Sequence, residues 1–175
     1  MDEILERELR QLLDKRAIEE CLLRYSRGVD RNDVELIRSA FHPDALENHS
    51  REVRGPLEEG FLAWWIPQQP QRQADQHLIS NSTIDLEGDI AHVETYYMSV
   101  IQLRGEACVT LRGGRYADRF EKRDGAWKIA LRIVLPEWDG KAETTMTEAV
   151  WARVFRRTRD RSDPTYQRPL QNPPA

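Results

Sequence analysis

The period of the hydrophobic pattern changes near residue 75, and that change leaves few architectures open to this chain. Before it, Leu9, Leu12 and Leu13, then Ile18, Cys21, Leu22 and Tyr25, recur at three- and four-residue steps and form one apolar stripe. That spacing belongs to an amphipathic helix. After it, the runs 77–86, 90–103, 108–121 and 127–135 read as strands, rich in Val, Ile, Thr and Tyr. Glu87-Gly88-Asp89, Arg104-Gly105-Glu106 and Arg123-Asp124-Gly125 punctuate them as hairpin turns. Three helices followed by antiparallel hairpins make an α+β fold.

Local signals set the expected boundaries. Gly28 is expected to end the first helix, and Asp14 can cap a second segment if the chain kinks there. Asp33 is a candidate N-cap for a helix over Val34 to Phe41, which His42-Pro43-Asp44 then stops. Gly55-Pro56 opens a third helix whose apolar face holds Leu57, Phe61, Trp64 and Trp65. Gly113-Gly114 inside a strand marks a bend or bulge. The chain thus divides into a domain over residues 1–140 and a C-terminal extension over 141–175.

A length of 175 residues suits one domain, stable without disulfides or a structural metal. With 30 acidic against 26 basic side chains the net charge is −4, which argues against a nucleic-acid binder. No apolar run approaches the roughly 20 residues needed to span a bilayer. Met1-Asp2-Glu3 is acidic where a signal peptide would be basic, and Cys21 and Cys108 lack framework spacing. The expectation is a cytoplasmic protein with reduced thiols and no membrane or nucleic-acid partner.

Of the four histidines, His42, His49 and His92 read as structural or solvated. No H-x-x-x-H or C-x-x-C pair offers a metal site. His77 opens the first long strand, directly after the loop that follows Trp64-Trp65. An imidazole at the rim of an apolar cavity suits proton transfer, though a satisfied half-buried histidine fits the same position. Asp30 is either a turn or capping residue beside Arg31 and Asn32, or a carboxylate that fixes the His77 tautomer.

The runs Tyr25-Ser26-Arg27-Gly28-Val29-Asp30-Arg31 and Phe41-His42-Pro43-Asp44-Ala45 resemble the SnoaL-like branch of the nuclear transport factor 2-like superfamily. So do His77-Leu78-Ile79-Ser80-Asn81 and the stretch from Tyr116 to Ile129. The resemblance covers roughly residues 5–140 and implies a cone-shaped barrel, a strongly curved antiparallel sheet closed by three N-terminal helices around a deep pocket. Members include scytalone dehydratase, a hexachlorocyclohexane dehydrochlorinase and bile-acid 7-alpha-dehydratase, which use an Asp–His dyad without metal or organic cofactor. By that resemblance Asp30 and His77 are the dyad, Tyr25 a pocket tyrosine and Arg132 a catalytic arginine.

The implied activity is a cofactor-independent dehydratase-like lyase or an isomerase acting on a hydrophobic, steroid-like or aromatic small molecule. Phe61, Trp64, Trp65 and Tyr96 or Tyr97 are the expected pocket walls. Strict strand alternation puts Arg132 on the face opposite Trp127, Ile129, Leu131 and Ile133, unless a bulge shifts the register. Arg115, beside Gly113-Gly114, is a second candidate for the cationic role. A non-catalytic binding module of the same fold is the alternative. In the extension, Val150, Trp151, Val154 and Phe155 alternate with Arg153, Arg156, Arg157, Arg159 and Arg161. This segment is expected to pack on the domain or on a neighbouring subunit of a trimer or dimer, or to touch phosphate or an acidic partner.

Overall fold

The structure, a computed structural model, describes residues 2–145, 148–154 and 158–172. Helix α1 (Glu3–Arg31) starts at Asp2, whose side chain accepts the Ile4 N–H, and ends at Asn32 in the left-handed conformation. It runs unbroken through Asp14, which instead accepts hydrogen bonds from Lys122 Nζ (2.8 Å) and Trp127 Nε1 (2.7 Å). Only its second half reaches the core, through Ile18, Cys21, Leu22, Tyr25 and Val29. Leu5, Leu9, Leu12 and Leu13 stay exposed, because the sheet meets the helix only from about Asp14 onward.

Gly28 lies inside the last turn of α1 rather than beyond it. A Cβ there would sit 2.8 Å from both the backbone N and Cγ1 of Ile37. Glycine at this position therefore lets α2 (Val34–Ser39) cross against α1, with Asp33 capping it as expected. The helix expected to continue to Phe41 stops at Ser39, and Phe41–Asn48 is strand β1. Its short partner β2 (Arg54–Pro56) takes the place of the expected helix start at Gly55-Pro56. The helical segment begins at Glu58 and tightens along its length, from a π turn (Glu58–Leu62) through an α turn (Ala63–Trp65) to a 3₁₀ turn (Ile66–Gln71).

Strands β3 (Arg72–Glu87), β4 (Ile90–Leu103), β5 (Cys108–Arg123) and β6 (Ala126–Glu143) form the antiparallel meander. The sheet order is β2-β1-β6-β5-β4-β3. β1 pairs with β6 in parallel, so the sheet is mixed, and β2 and β3 remain as edges, so it is not closed. The parallel pair modifies the expected antiparallel sheet, because the chain returns from α2 along the direction of β6; the α+β arrangement of N-terminal helices and a curved sheet is as expected.

Bulges decide which side chains face inward. Between Ile129 and Leu131 of β6, Ala130 is an extra residue opposite Arg119 and Phe120 of β5. The insertion puts Trp127, Ile129, Arg132 and Val134 on the buried face and leaves Ile133 exposed. A second register shift, between Gly113 and Gly114, falls where the glycine pair predicts it. A third, at Gln73 of β3, brings Arg72 onto the same buried side as Asp75.

Candidate active site

Asp30 sits in the last turn of α1, against the first half of β3. The His77 ring N–H at Nδ1 donates to Asp30 Oδ1 (2.8 Å), and the His77 backbone N–H donates to Oδ2 (3.1 Å). One carboxylate therefore holds both the ring and the strand that carries it. Nδ1 is committed to Asp30, which leaves Nε2 as the ring's basic atom. Both side chains are nearly buried.

Asp75, buried two residues before His77, places Oδ1 3.7 Å from His77 Nδ1. Its other oxygen pairs with Arg72 and lies 3.5 Å from Arg159 Nη2. Arg159 also donates to the backbone oxygens of Asp30 (3.2 Å) and Val29 (3.3 Å) and to Gln69 Oε1 (2.9 Å). The extension thus ties the end of α1 to the 3₁₀ turn beneath the site. Asp30, Asp75 and His77 bring three ligand-capable atoms within 4.8 Å of one another, the grouping among the described residues that can hold a metal ion. Two guanidinium groups already face Asp75, and Nδ1 carries the proton shared with Asp30, so the donor set favours a proton and ion-pair network.

His77 opens onto a cavity of about 50 Å³. Tyr25, Val29, Phe61, Trp64, Trp65, Tyr97 and Tyr116 are among the side chains that line it. Tyr97 and Tyr116 stack with centroids 4.4 Å apart, and Tyr25 meets Tyr116 edge-on at 6.0 Å. A wider groove of about 450 Å³ crosses the outer sheet face at Asp85, His92, Glu94 and Arg119, away from Asp30 and His77. The smaller cavity has the convergent polar groups that a reaction needs.

Arg132 is fully buried behind this cavity. It pairs bidentately with Asp118, at 2.8 and 2.6 Å, and its guanidinium lies 4.3 Å from the Tyr25 ring and 4.0 Å from the Tyr116 ring. The bulge at Ala130 turned it inward. Burial pushes the Asp118 carboxyl up and Arg132 opposes that shift; the permanently charged arginine in bidentate contact keeps the pair ionised. Burial also pushes the Tyr25 hydroxyl far above its ordinary value, against the pull of Arg132, so Tyr25 stays an O–H donor.

The expected wall residues divide. Phe61, Trp64, Trp65 and Tyr97 line the cavity. Tyr96 and Arg115 occupy the outer face, because each is one residue out of phase with an inward neighbour, Tyr97 and Tyr116. Arg115 pairs there with Glu94 (2.8 Å) and Glu137 (2.6 Å) and covers the Tyr96 ring. Arg112 lines the cavity in its stead. In the extension, Phe155, Arg156, Arg157 and the side chain of Trp151 lie outside the described residues. Arg161 and Tyr166 bind Asp33, and Arg27 covers the Tyr166 ring.

Sequence reasoning missed Asp75, Arg72, Arg112, Asp118 and the pair Glu47–His49. Asp75 and His77 share a face once their segment is read as a strand, and Glu47 lies in β1 with His49 directly after its end. For residues 41–48 that reading was the missing step.

The SnoaL-like domain signature matches residues 10–133. The chain belongs to the SnoaL-like domain family. No curated protein shows significant sequence similarity to it. Among solved structures it is similar to a candidate scytalone dehydratase from Novosphingobium aromaticivorans, at 21% identity and a TM-score of 0.69, covering 78% of this chain and 91% of that one. It is also similar to a hexachlorocyclohexane dehydrochlorinase, LinA Type2, at 18% identity and a TM-score of 0.71, covering 80% and 96%. A third, the LinA-type3 dehydrochlorinase from Novosphingobium barchaimii, gives 19%, 0.69, 77% and 94%. These likenesses establish the shared fold. Among the described residues no helix is long and apolar enough to cross a membrane.

Proposed function

We propose that this SnoaL-like protein is a cofactor-independent lyase in which the Asp30–His77 pair removes a proton beside a polarised bond. The supporting observation is the double grip of Asp30 on His77, which leaves Nε2 as the base at the wall of an aromatic cavity. Asp30 stabilises the imidazolium that forms. The Tyr25 hydroxyl, kept protonated by burial, donates to the substrate oxygen where charge develops, and Arg132 behind its ring strengthens that field. Elimination of water or of hydrogen halide uses these groups directly. Isomerisation uses the same base and returns the proton to another carbon.

The cavity bears on the substrate. At about 50 Å³ it is far below the roughly 300–1,000 Å³ of small-molecule sites. A compact hydroxylated or halogenated ring is therefore favoured over a polycyclic one. We also place the protein in the cytoplasm as a trimer or dimer. The exposed Leu5, Leu9 and Leu12 of α1 and the exposed Val150 of the extension supply apolar surface for a second copy, which size-exclusion chromatography tests.

The experiment that tests the activity compares wild type with His77→Ala and Asp30→Asn on scytalone, hexachlorocyclohexane and 3-hydroxycyclohexanone. Turnover by wild type should fall about 10²–10⁴-fold in each variant. Binding without turnover would favour the binding module. Equal turnover by all three proteins would remove the mechanism.

A further inference from the structure

The cavity contains a second histidine backed by a buried carboxylate. Glu47 of β1 is fully buried, opposite Arg132 of β6 in the parallel ladder. Its Oε1 lies 3.2 Å from His49 Nδ1, and its Oε2 has no hydrogen-bond partner among the described residues. A buried carboxylate with so few partners is unfavourable unless positive charge lies close to it. Arg132, opposite it on the next strand, pairs with Asp118 through Nε and Nη2, and its Nη1 has no hydrogen-bond partner among the described residues. The His49 imidazole is the side chain that reaches this carboxylate.

The His49 ring is also held in place by two aromatic neighbours. It lies 5.2 Å from the Phe61 ring and 5.0 Å from the Trp64 ring, tilted by 31° and 38°. With Nδ1 turned to Glu47, Nε2 is the atom available to a ligand. His49 lines the same cavity as His77 and Tyr25, and its side chain is 29% exposed, so it can regain a proton from water.

We propose that His49, backed by Glu47, protonates the leaving group in the elimination described above; the assignment rests on that reading of Asp30 and His77. In the step, His77 Nε2 takes the proton next to the carbonyl. The C–H electron pair becomes the new C=C bond, and the C–O bond breaks with its pair on oxygen. The His49 Nε2 proton joins that oxygen, and water leaves. His77 then gives its proton to solvent while His49 takes one up, which restores the starting state. One base and one acid on different elements of one cavity suit a hydroxide leaving group, which departs poorly unless protonated. A chloride leaving group needs no such proton.

That contrast supplies the test. 3-Hydroxycyclohexanone and 3-chlorocyclohexanone lose water and hydrogen chloride to give the same enone, followed by its ultraviolet absorbance. His77→Ala should slow both about 10²–10⁴-fold, whereas His49→Gln should slow water loss by a similar factor and leave chloride loss within about threefold. Equal slowing of both reactions by His49→Gln, or slowing of neither, overturns the assignment while the His77 reading stands. Failure of His77→Ala to slow either overturns that reading and this inference with it. An independent measurement uses ¹⁵N-histidine NMR of the full chain. Both His49 ring nitrogens should carry protons in wild type and change their signals in Glu47→Gln; an unprotonated Nε2 in wild type would also overturn the assignment.

Discussion

Replacing Arg132 by methionine isolates the largest electrostatic commitment in the cone. The substitution leaves Asp118 fully buried and stripped of both of its hydrogen bonds to the guanidinium. It also removes the charge that opposes Glu47, itself fully buried. Breaking one partner of a buried pair costs about 3–5 kcal/mol. Loss of the guanidinium over the Tyr25 and Tyr116 rings adds roughly 0.5–2 kcal/mol for each. Against a typical total of about 5–15 kcal/mol, the variant is marginal.

Asp118 limits the damage by taking up a proton, and the sign of the pH dependence follows. In the variant the folded-state pKa of Asp118 lies above the unfolded value of about 3.9, so the folded state binds the extra proton. Stability then falls as pH rises from about 4 through the raised value, by up to about 1.4 kcal/mol per pH unit. Urea unfolding followed by tryptophan fluorescence at pH 5 and pH 7 measures this directly. The double variant Arg132→Met/Asp118→Leu should recover roughly 2 kcal/mol or more of the loss, since no unpaired carboxylate remains at that position. A single variant that costs less than about 1 kcal/mol, or a double variant no better than the single, would refute the reasoning.

Three further outcomes are expected. Gly28→Ala should lower stability by about 1–3 kcal/mol in the same assay, because its Cβ meets Ile37 at 2.8 Å; an unchanged midpoint would show that α2 shifts freely. Burial pushes the Cys21 thiol up to about 11, and its S–H donates to the Ala40 carbonyl at 3.2 Å, so iodoacetamide at pH 8 should label Cys21 only on unfolding. Asp33 lies below its ordinary value: burial raises it, but the Leu36 N–H, Arg161 and Tyr166 more than offset that. Its contribution is therefore present above about pH 4 and lost as pH falls through the lower folded value, so proteolysis should find the extension docked at pH 5 and freed only in stronger acid.

Periodicity made the long helix and the four long strands legible, since each buries one face with its own repeat. It could not separate Phe41 from the preceding helix. Phe41 continues the spacing of Leu36 and Ile37, and only pairing with Ile129 of β6 draws it into a strand. The same error hid Glu47 and His49, because an alternation is visible only after the strand is recognised. Tyr96 and Tyr97 were equivalent in composition, and the register of β4 against β5 alone assigns one to each face. Asp30 and His77 were easier. The turn after α1 and the start of β3 are both marked in the sequence, and the family resemblance joined them across 47 positions.

The partners of the buried carboxylates separate two kinds of work. Asp118 is held by Arg132, and Asp75 by Arg72 with Arg159 nearby. Arginine stays charged at any ordinary pH, so these pairs fix geometry and field but move no proton. Asp30 and Glu47 instead face histidines, a side-chain type that can both hold and release a proton. Both histidines line the cavity, and neither Asp118 nor Arg132 does. The interior of the cone is thus divided between arginine-held carboxylates behind the aromatic rings and histidine-facing carboxylates at the cavity. The proposed elimination draws on that division, with fixed charge beside the histidine that takes the proton. The division also explains why the bulge at Ala130 matters: without it, Arg132 would face solvent, and the ring of Tyr25 would lose the charge behind it.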